Sequence, residues 1–324
     1  MITADKKNIC IIAFNIGISK AIVNGPGMSL LNFISFISKD NKLNIKIYCQ
    51  LPTLSKIDNI EIKNISDLSI KDSIKNSDIV HIRSGLTQQI LSVILLANKF
   101  SKPIVFGPNL LDTVNEELEK KFINCAGSNL KKILSVNDRL RYLFSSRYNM
   151  QIKNIETLIV GPDTSIWSPP DFYEDYILWK GNSSHFVKDI QFGKDVASKL
   201  NKYKFIFLGD SSPYDYQQHI NIAKKAKIYF STSLSETKGM ALMEQWACGV
   251  PSVTHPKIYM HGENYKTGII TNRDINSYCD AIEEIMSNPI LHNNLSSGAV
   301  KWVKENFNEK ILCSQYEEIL NNVC

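Results

Sequence analysis

The chain has 324 residues, long enough for two domains of ordinary size with a core in each. Its 44% hydrophobic and 21% charged residues are those of a soluble globular protein, and no stretch approaches the ~20 apolar residues of a membrane-spanning helix. A formal charge of +5 suits anionic partners without choosing among nucleotides, acidic lipids and nucleic acid.

The first element is a strand over 8–14 (NICIIAF), a short apolar run typical of a strand buried on both faces. Because that run is only a few residues long and ends at Asn15, it reads as a strand and not as a signal peptide. A turn at 24–27 (NGPG) leads to a helix over 28–39, followed by a strand over 46–51 and a polar stretch holding a short strand and loop. Strands over 77–82 and 102–107 flank a helix over 86–100; strands over 131–136 and 156–161 flank a helix over 138–148. Prolines and acids over 161–175 then break the rhythm as a linker does.

The alternation restarts with strands over 176–181, 204–209 and 227–233, separated by helices over 189–200 and 217–226. A helix opening near Gly239, strands over 251–256 and 268–271, and two or three helices between Asn276 and Val323 complete the chain. Strand–helix alternation repeated on both sides of a proline-bearing linker predicts an α/β protein of two doubly wound, Rossmann-like domains, with ligands at the carboxyl ends of the strands. The seven cysteines are odd in number and lack C-x-x-C spacing. That argues against a disulfide framework or a zinc site, and points to a reducing, cytoplasmic setting.

The chemistry concentrates in 235–251, SETKGMALMEQWACGVP, where Glu236 and Glu244 stand with seven residues between them. The helix between them should end near Cys248, since Gly249 and Pro251 are stop signals. Its first amides, around Lys238 to Leu242, lack intrahelical partners and, with the helix dipole, form an anion site that Gly239 leaves open to a phosphate. A carboxylate can accept hydrogen bonds from two vicinal hydroxyls of a sugar. One acid for a donor sugar, one for a ribose and a helix end for the diphosphate make up a nucleotide-sugar site.

This run resembles the E-x7-E signature of retaining GT-B glycosyltransferases of family 4. SDIVHI, KPIVFGPN, KKILSVNDRL and VGPDTSIWSP, then FIFLGD, KIYFSTSLSET and GENYKTGII, resemble successive landmarks of that family in order, from about Asn8 to the final helices. The resemblance implies two Rossmann-like domains facing across a cleft: an acceptor domain over 1–162, a linker over 163–175 and a nucleotide-sugar domain over 176–308. A last helix over 309–324 would return to the first domain.

It further implies that Glu236 contacts the donor sugar near the reacting carbon and Glu244 the nucleotide ribose, with the diphosphate on the amides of Gly239, Met240, Ala241 and Leu242. Of the family's Arg and Lys that neutralise the leaving phosphate, Lys188 matches the lysine. Asn182 stands at the arginine position, where Lys180 compensates only if its strand end turns inward. Lys238 replaces a frequent aromatic residue and adds a cation near the anion site; Asn109 replaces a frequent histidine and can hydrogen-bond a sugar hydroxyl without titrating. Gly25 and Gly27 are either a plain tight turn or the family's glycine-rich loop near the diphosphate or acceptor.

The implied reaction moves a sugar from a nucleotide-diphosphate donor to a hydroxyl of a glycan, a lipid-linked saccharide or another acceptor. It proceeds with retention and without cofactor or bound metal, in agreement with the lack of a D-x-D motif. The basic and apolar segment over 130–148 suits peripheral membrane contact or an ordinary solvated helix face, and no interleaved aromatics mark a nucleic-acid surface. Two rival readings are a sugar-nucleotide epimerase on the same scaffold and a catalytically silent nucleotide-sugar-binding protein.

Overall fold

Residues 9–13 are buried without exception, and their side chains alternate between two cores. Ile9, Ile11 and Ala13 join one apolar cluster, while Cys10 and Ile12 join another on the opposite face. A strand covered on both sides explains the uninterrupted apolar run. The computed structural model describes residues 6–17, 25–39, 42–50, 52, 54–108, 116–209, 216–236, 238–258 and 262–323.

The elements of the first half are β1 (Lys7–Gly17), α1 (Gly25–Ile37), β2 (Leu43–Gln50), β3 (Lys56–Ile57), β4 (Ile60–Asn64), α2 (Ile70–Asn76), β5 (Ile79–Ile82), α3 (Gln88–Lys99), β6 (Ile104–Phe106), α4 (Glu116–Ala126), β7 (Leu130–Ser135), α5 (Asp138–Arg147) and β8 (Ile155–Thr157). Those of the second are β9 (Glu174–Lys180), α6 (Ile190–Lys199), β10 (Lys204–Leu208), α7 (Tyr216–Lys225), β11 (Ala226–Phe230), α8 (Met240–Ala247), β12 (Ser252–Thr254), β13 (Gly268–Ile270), α9 (Ile275–Ser287), α10 (Pro289–Asn306) and α11 (Glu309–Asn321). They form two compact units: Met1–Val160 with Glu309–Cys324, and Gly161–Asn308.

In the first unit eight strands run in the order β3-β4-β2-β1-β5-β6-β7-β8, parallel except for the β3–β4 hairpin. Ile11 of β1 lies level with Ile47 of β2 and His81 of β5. One face packs on Leu30, Phe33 and Ile34 of α1 and Tyr316 and Leu320 of α11; the other packs on Ile90 and Ile94 of α3 and Phe122 of α4. The strand order reverses between β1 and β5, which places the ligand crevice of such a sheet at their carboxyl ends.

The second unit has five parallel strands in the order β10-β9-β11-β12-β13. Its core includes Ile177 and Trp179 of β9, Ile228 and Phe230 of β11, Val196 of α6 and Ile282 of α9. The order reverses between β9 and β11, so Lys180 and the turn after Phe230 stand at that crevice.

The structure departs from the sequence expectations in four places, one of them α2, which stands in a polar stretch expected to hold only a short strand and loop. The helix expected from residue 28 begins at Gly25, so the NGPG stretch opens α1 where a separate turn was expected. α4 was not expected at all. Residues 161–175 belong to the second unit, where Trp167 is buried and the Tyr173 hydroxyl donates to Cys248 O at 3.0 Å.

Candidate active site

α8 starts behind Gly239, whose left-handed backbone (φ 65°, ψ 47°) directs the chain from the turn into the helix. Glycine takes this conformation without the penalty of a side chain. The helix stops at Cys248, and Gly249 follows at φ 71°. Between these caps Leu242 to Ala247 are all buried, so α8 is held by packing while its first amides remain the polar end.

Each glutamate of the motif meets a lysine. The half-buried Glu236 accepts hydrogen bonds at Oε1 from Lys188 Nζ and from Ser233 Oγ, the latter at 2.8 Å. The turn that carries it is braced by His255. Lys257 N–H donates to Nδ1 of His255, which fixes the proton on Nε2, and Nε2 donates to Ser233 O at 2.7 Å. Burial pushes the His255 pKa below its ordinary value, in keeping with this neutral form.

Lys188 closes a 3₁₀ turn over Phe186–Lys188. Its carbonyl accepts from Thr232 Oγ1 at 2.8 Å, and Thr232 Oγ1 accepts in turn from Trp179 Nε1 at 2.8 Å. The next residue, Asp189, caps α6 from a left-handed backbone and pairs with Arg273, which also donates to Thr232 O and stacks on Phe192. The backbone of Lys188 is thus held at Thr232, directly and through Asp189 and Arg273, while its side chain is held by Glu236.

Lys180 turns inward at the end of β9. Its Nζ lies 2.5 Å from Glu244 Oε2, and the side chains are only 8% and 5% exposed. The same ammonium sits 4.5 Å from the centre of the Trp167 ring. Burial, and then the Lys180 charge, push the His219 pKa down to about 3, so His219 is neutral. Trp167 Nε1 and His219 Nε2 are buried without hydrogen-bond partners.

The second unit therefore gathers Glu236, Glu244, Lys180, Lys188 and Gly239 to Leu242 into ion pairs and a helix start at one sheet end. Lys238 is buried immediately before that start. Asn182 is exposed and accepts from Ser184 N and Oγ, which makes it a turn-forming residue. Gly25 and Gly27 lie in the first turn of α1, in the first unit; Asn109 lies outside the described residues. Ser233, Thr232, His255, Arg273, Trp167 and His219 were not expected as site residues. Their one sequence signal was the polar S-T-S directly after an apolar strand. Among the described residues no three His, Cys, Asp or Glu side chains converge as metal ligands, and no helix is long and apolar enough to cross a membrane.

Two doubly wound α/β units, the second with acids astride a helix start, define the class: a glycosyltransferase with the GT-B fold. Residues 190–302, which include both motif glutamates, match the family described as glycosyl transferases group 1. No curated protein matches the sequence significantly. Among solved structures, a glycosyltransferase from Rickettsia africae ESF-5 is similar at 16% identity over 98% of this chain and 100% of its own, with a TM-score of 0.73. HepE of Anabaena, in complex with UDP and glucose, is 13% identical over 96% of this chain and 99% of its own, with a TM-score of 0.68. The sucrose-phosphate synthase of Thermosynechococcus elongatus is 10% identical over 96% and 98%, with a TM-score of 0.69.

Proposed function

We propose that the protein transfers a sugar from a nucleoside-diphosphate donor to an acceptor hydroxyl, with retention at the anomeric carbon and without a metal, as a member of the family-4 branch. The observation that carries this reading is the start of α8 behind Gly239, with a Lys–Glu pair at each motif glutamate. The diphosphate would lie on the amides of Met240 to Leu242. Lys188, a quarter exposed, would swing from Glu236 to the leaving phosphate and offset its charge together with the helix dipole, which is the service a metal gives elsewhere. Glu236, released from Lys188, would accept hydroxyls of the donor sugar. Lys180 occupies Oε2 of Glu244 and leaves Oε1 for a ribose hydroxyl.

In the chemical step the acceptor oxygen bonds to the anomeric carbon as its bond to the phosphate oxygen breaks. That phosphate oxygen takes the acceptor's proton on the same face, so no side-chain base is required. Uridine diphosphate sugars are the first donors to try, because HepE, similar in fold, was crystallised with UDP and with UDP-glucose.

The test begins with thermal melts against UDP, GDP, ADP, TDP and CMP, and against sugar conjugates of the nucleotide that binds. One diphosphate should raise the melting temperature, and Glu244→Ala should remove the shift. Glu236→Ala should keep most of the shift yet abolish transfer, and NMR of the product should show the donor's anomeric configuration in the presence of EDTA. Full transfer by Glu236→Ala, or an inverted product, would sink the mechanism.

A further inference from the structure

The first unit holds a second concentration of polar groups at its strand ends, and nothing in the proposed reaction yet uses it. Arg83 follows β5 and is completely buried. Its Nη2 donates to Ser29 Oγ at 3.0 Å and to Ser29 O at 3.4 Å in α1, and its guanidinium carbon lies 4.2 Å from the centre of the Phe33 ring. Nε and Nη1 are buried without a hydrogen-bond partner, and among the described residues no carboxylate pairs with the group.

Among the described residues the neighbours of Arg83 supply no counter-charge. His81 donates from Nε2 to Gly107 O at 2.7 Å, so its Nδ1 accepts from the Tyr316 hydroxyl at 2.8 Å. Burial and the Arg83 charge keep this histidine neutral, and burial raises the Tyr316 pKa, so the tyrosine is neutral too. Buried charges are ordinarily paired, and a guanidinium with unused N–H groups is a natural partner for phosphate or carboxylate oxygens. Arg83 also stands where the strand order of this sheet reverses, between β5 and β1, and it touches the thirteen-residue helix α1 that follows β1 and opens with Gly25 and Gly27.

We propose that Arg83 and the start of α1 form an anion site in the first unit, which takes a phosphate or carboxylate carried by the acceptor. The assignment to the acceptor rests on the reading of the second unit as the donor unit: the donor's diphosphate has its own cradle at α8, so a second anion site serves the other substrate. The guanidinium is closed off from solvent. Access needs a local opening, and the tests are therefore read at equilibrium.

The experiment uses the full chain, saturated with UDP, in thermal melts with inorganic phosphate, glucose 6-phosphate and glucose as probes. Phosphate and glucose 6-phosphate should each raise the melting temperature further, and glucose should not. Arg83→Met should abolish both shifts, leave the UDP shift intact and raise the melting temperature of the ligand-free protein, because an uncompensated buried cation is gone. Arg83→Lys, which keeps the charge but not the fork, should weaken the phosphate shift severalfold.

A structural role for Arg83 would lower the ligand-free melting temperature of Arg83→Met and leave the phosphate shift in place, and would overturn the proposal. Loss of the UDP shift in Arg83→Met would assign the arginine to the donor instead. Protection by inorganic phosphate but not by glucose 6-phosphate would assign a free anion, and would equally overturn the acceptor reading. If UDP itself gives no shift in the unmodified protein, the donor reading fails, whereas the phosphate response still reports on Arg83.

Discussion

At the residue scale, the two lysines of the site have similar partners but different surroundings. Lys180 and Glu244 are 8% and 5% exposed, Lys188 and Glu236 25% and 18%. Removing one member of a buried pair strands the other's charge, at a cost of roughly 3–5 kcal/mol, whereas partly exposed pairs contribute about 1 kcal/mol or less. Lys180→Ala is therefore expected to lower the melting temperature strongly, and Lys188→Ala only slightly. Lys188→Ala should instead slow transfer by about 10²–10³-fold, since it withdraws a charge aimed at the leaving group. Calorimetry beside single-turnover rates separates the two; a large stability loss in Lys188→Ala would show that its pair is structural. The spacing of Glu236 and Glu244 was legible in the sequence. Their lysine partners were not read as partners, because the pairs join residues 48 and 64 positions apart and depend on how β9 and the 3₁₀ turn end.

At the scale of the element, α8 depends on Gly239. A side chain in its left-handed backbone costs about 1–2 kcal/mol, while asparagine visits that region more readily. Gly239→Ala should therefore lose stability and weaken the UDP shift. Gly239→Asn should recover much of the stability but not the UDP shift, because its side chain stands where the diphosphate approaches the amides. Thermal melts of both variants with and without UDP check this; parallel recovery of stability and binding in the asparagine variant would remove Gly239 from the binding role. The caps of α8 were readable because glycine and proline mark helix ends locally. α4 was not read, although Leu118, Phe122 and Ala126 recur at helical spacing among its charges, and Phe122 and Ala126 are core residues of the first unit. The start of α1 was placed late because Gly25, Pro26 and Gly27 signal a turn as strongly as they do the opening of a helix.

At the scale of the whole molecule, the two-unit plan was visible in the repeated strand–helix alternation, yet its response to acid was not, because a histidine's titration depends on burial that the sequence does not display. Each unit holds one histidine pushed down to about 3: His81 in the first, by burial and then the Arg83 charge, and His219 in the second, by burial and then the Lys180 charge. The sign follows from proton counting. Between the ordinary histidine value of about 6.5 and the depressed value, the unfolded chain binds a proton that the folded unit refuses, so stability falls as pH falls through that window and is complete above it. Each histidine should remove about 2 kcal/mol between pH 7 and pH 5. Hydrogen exchange read by mass spectrometry resolves the units: His81→Gln should flatten the acid dependence of the first alone, and His219→Gln that of the second alone. An unchanged acid slope in the matching unit would mean that the histidine takes up its proton in the folded state, and for His81 it would break the bond in which Nδ1 accepts from Tyr316.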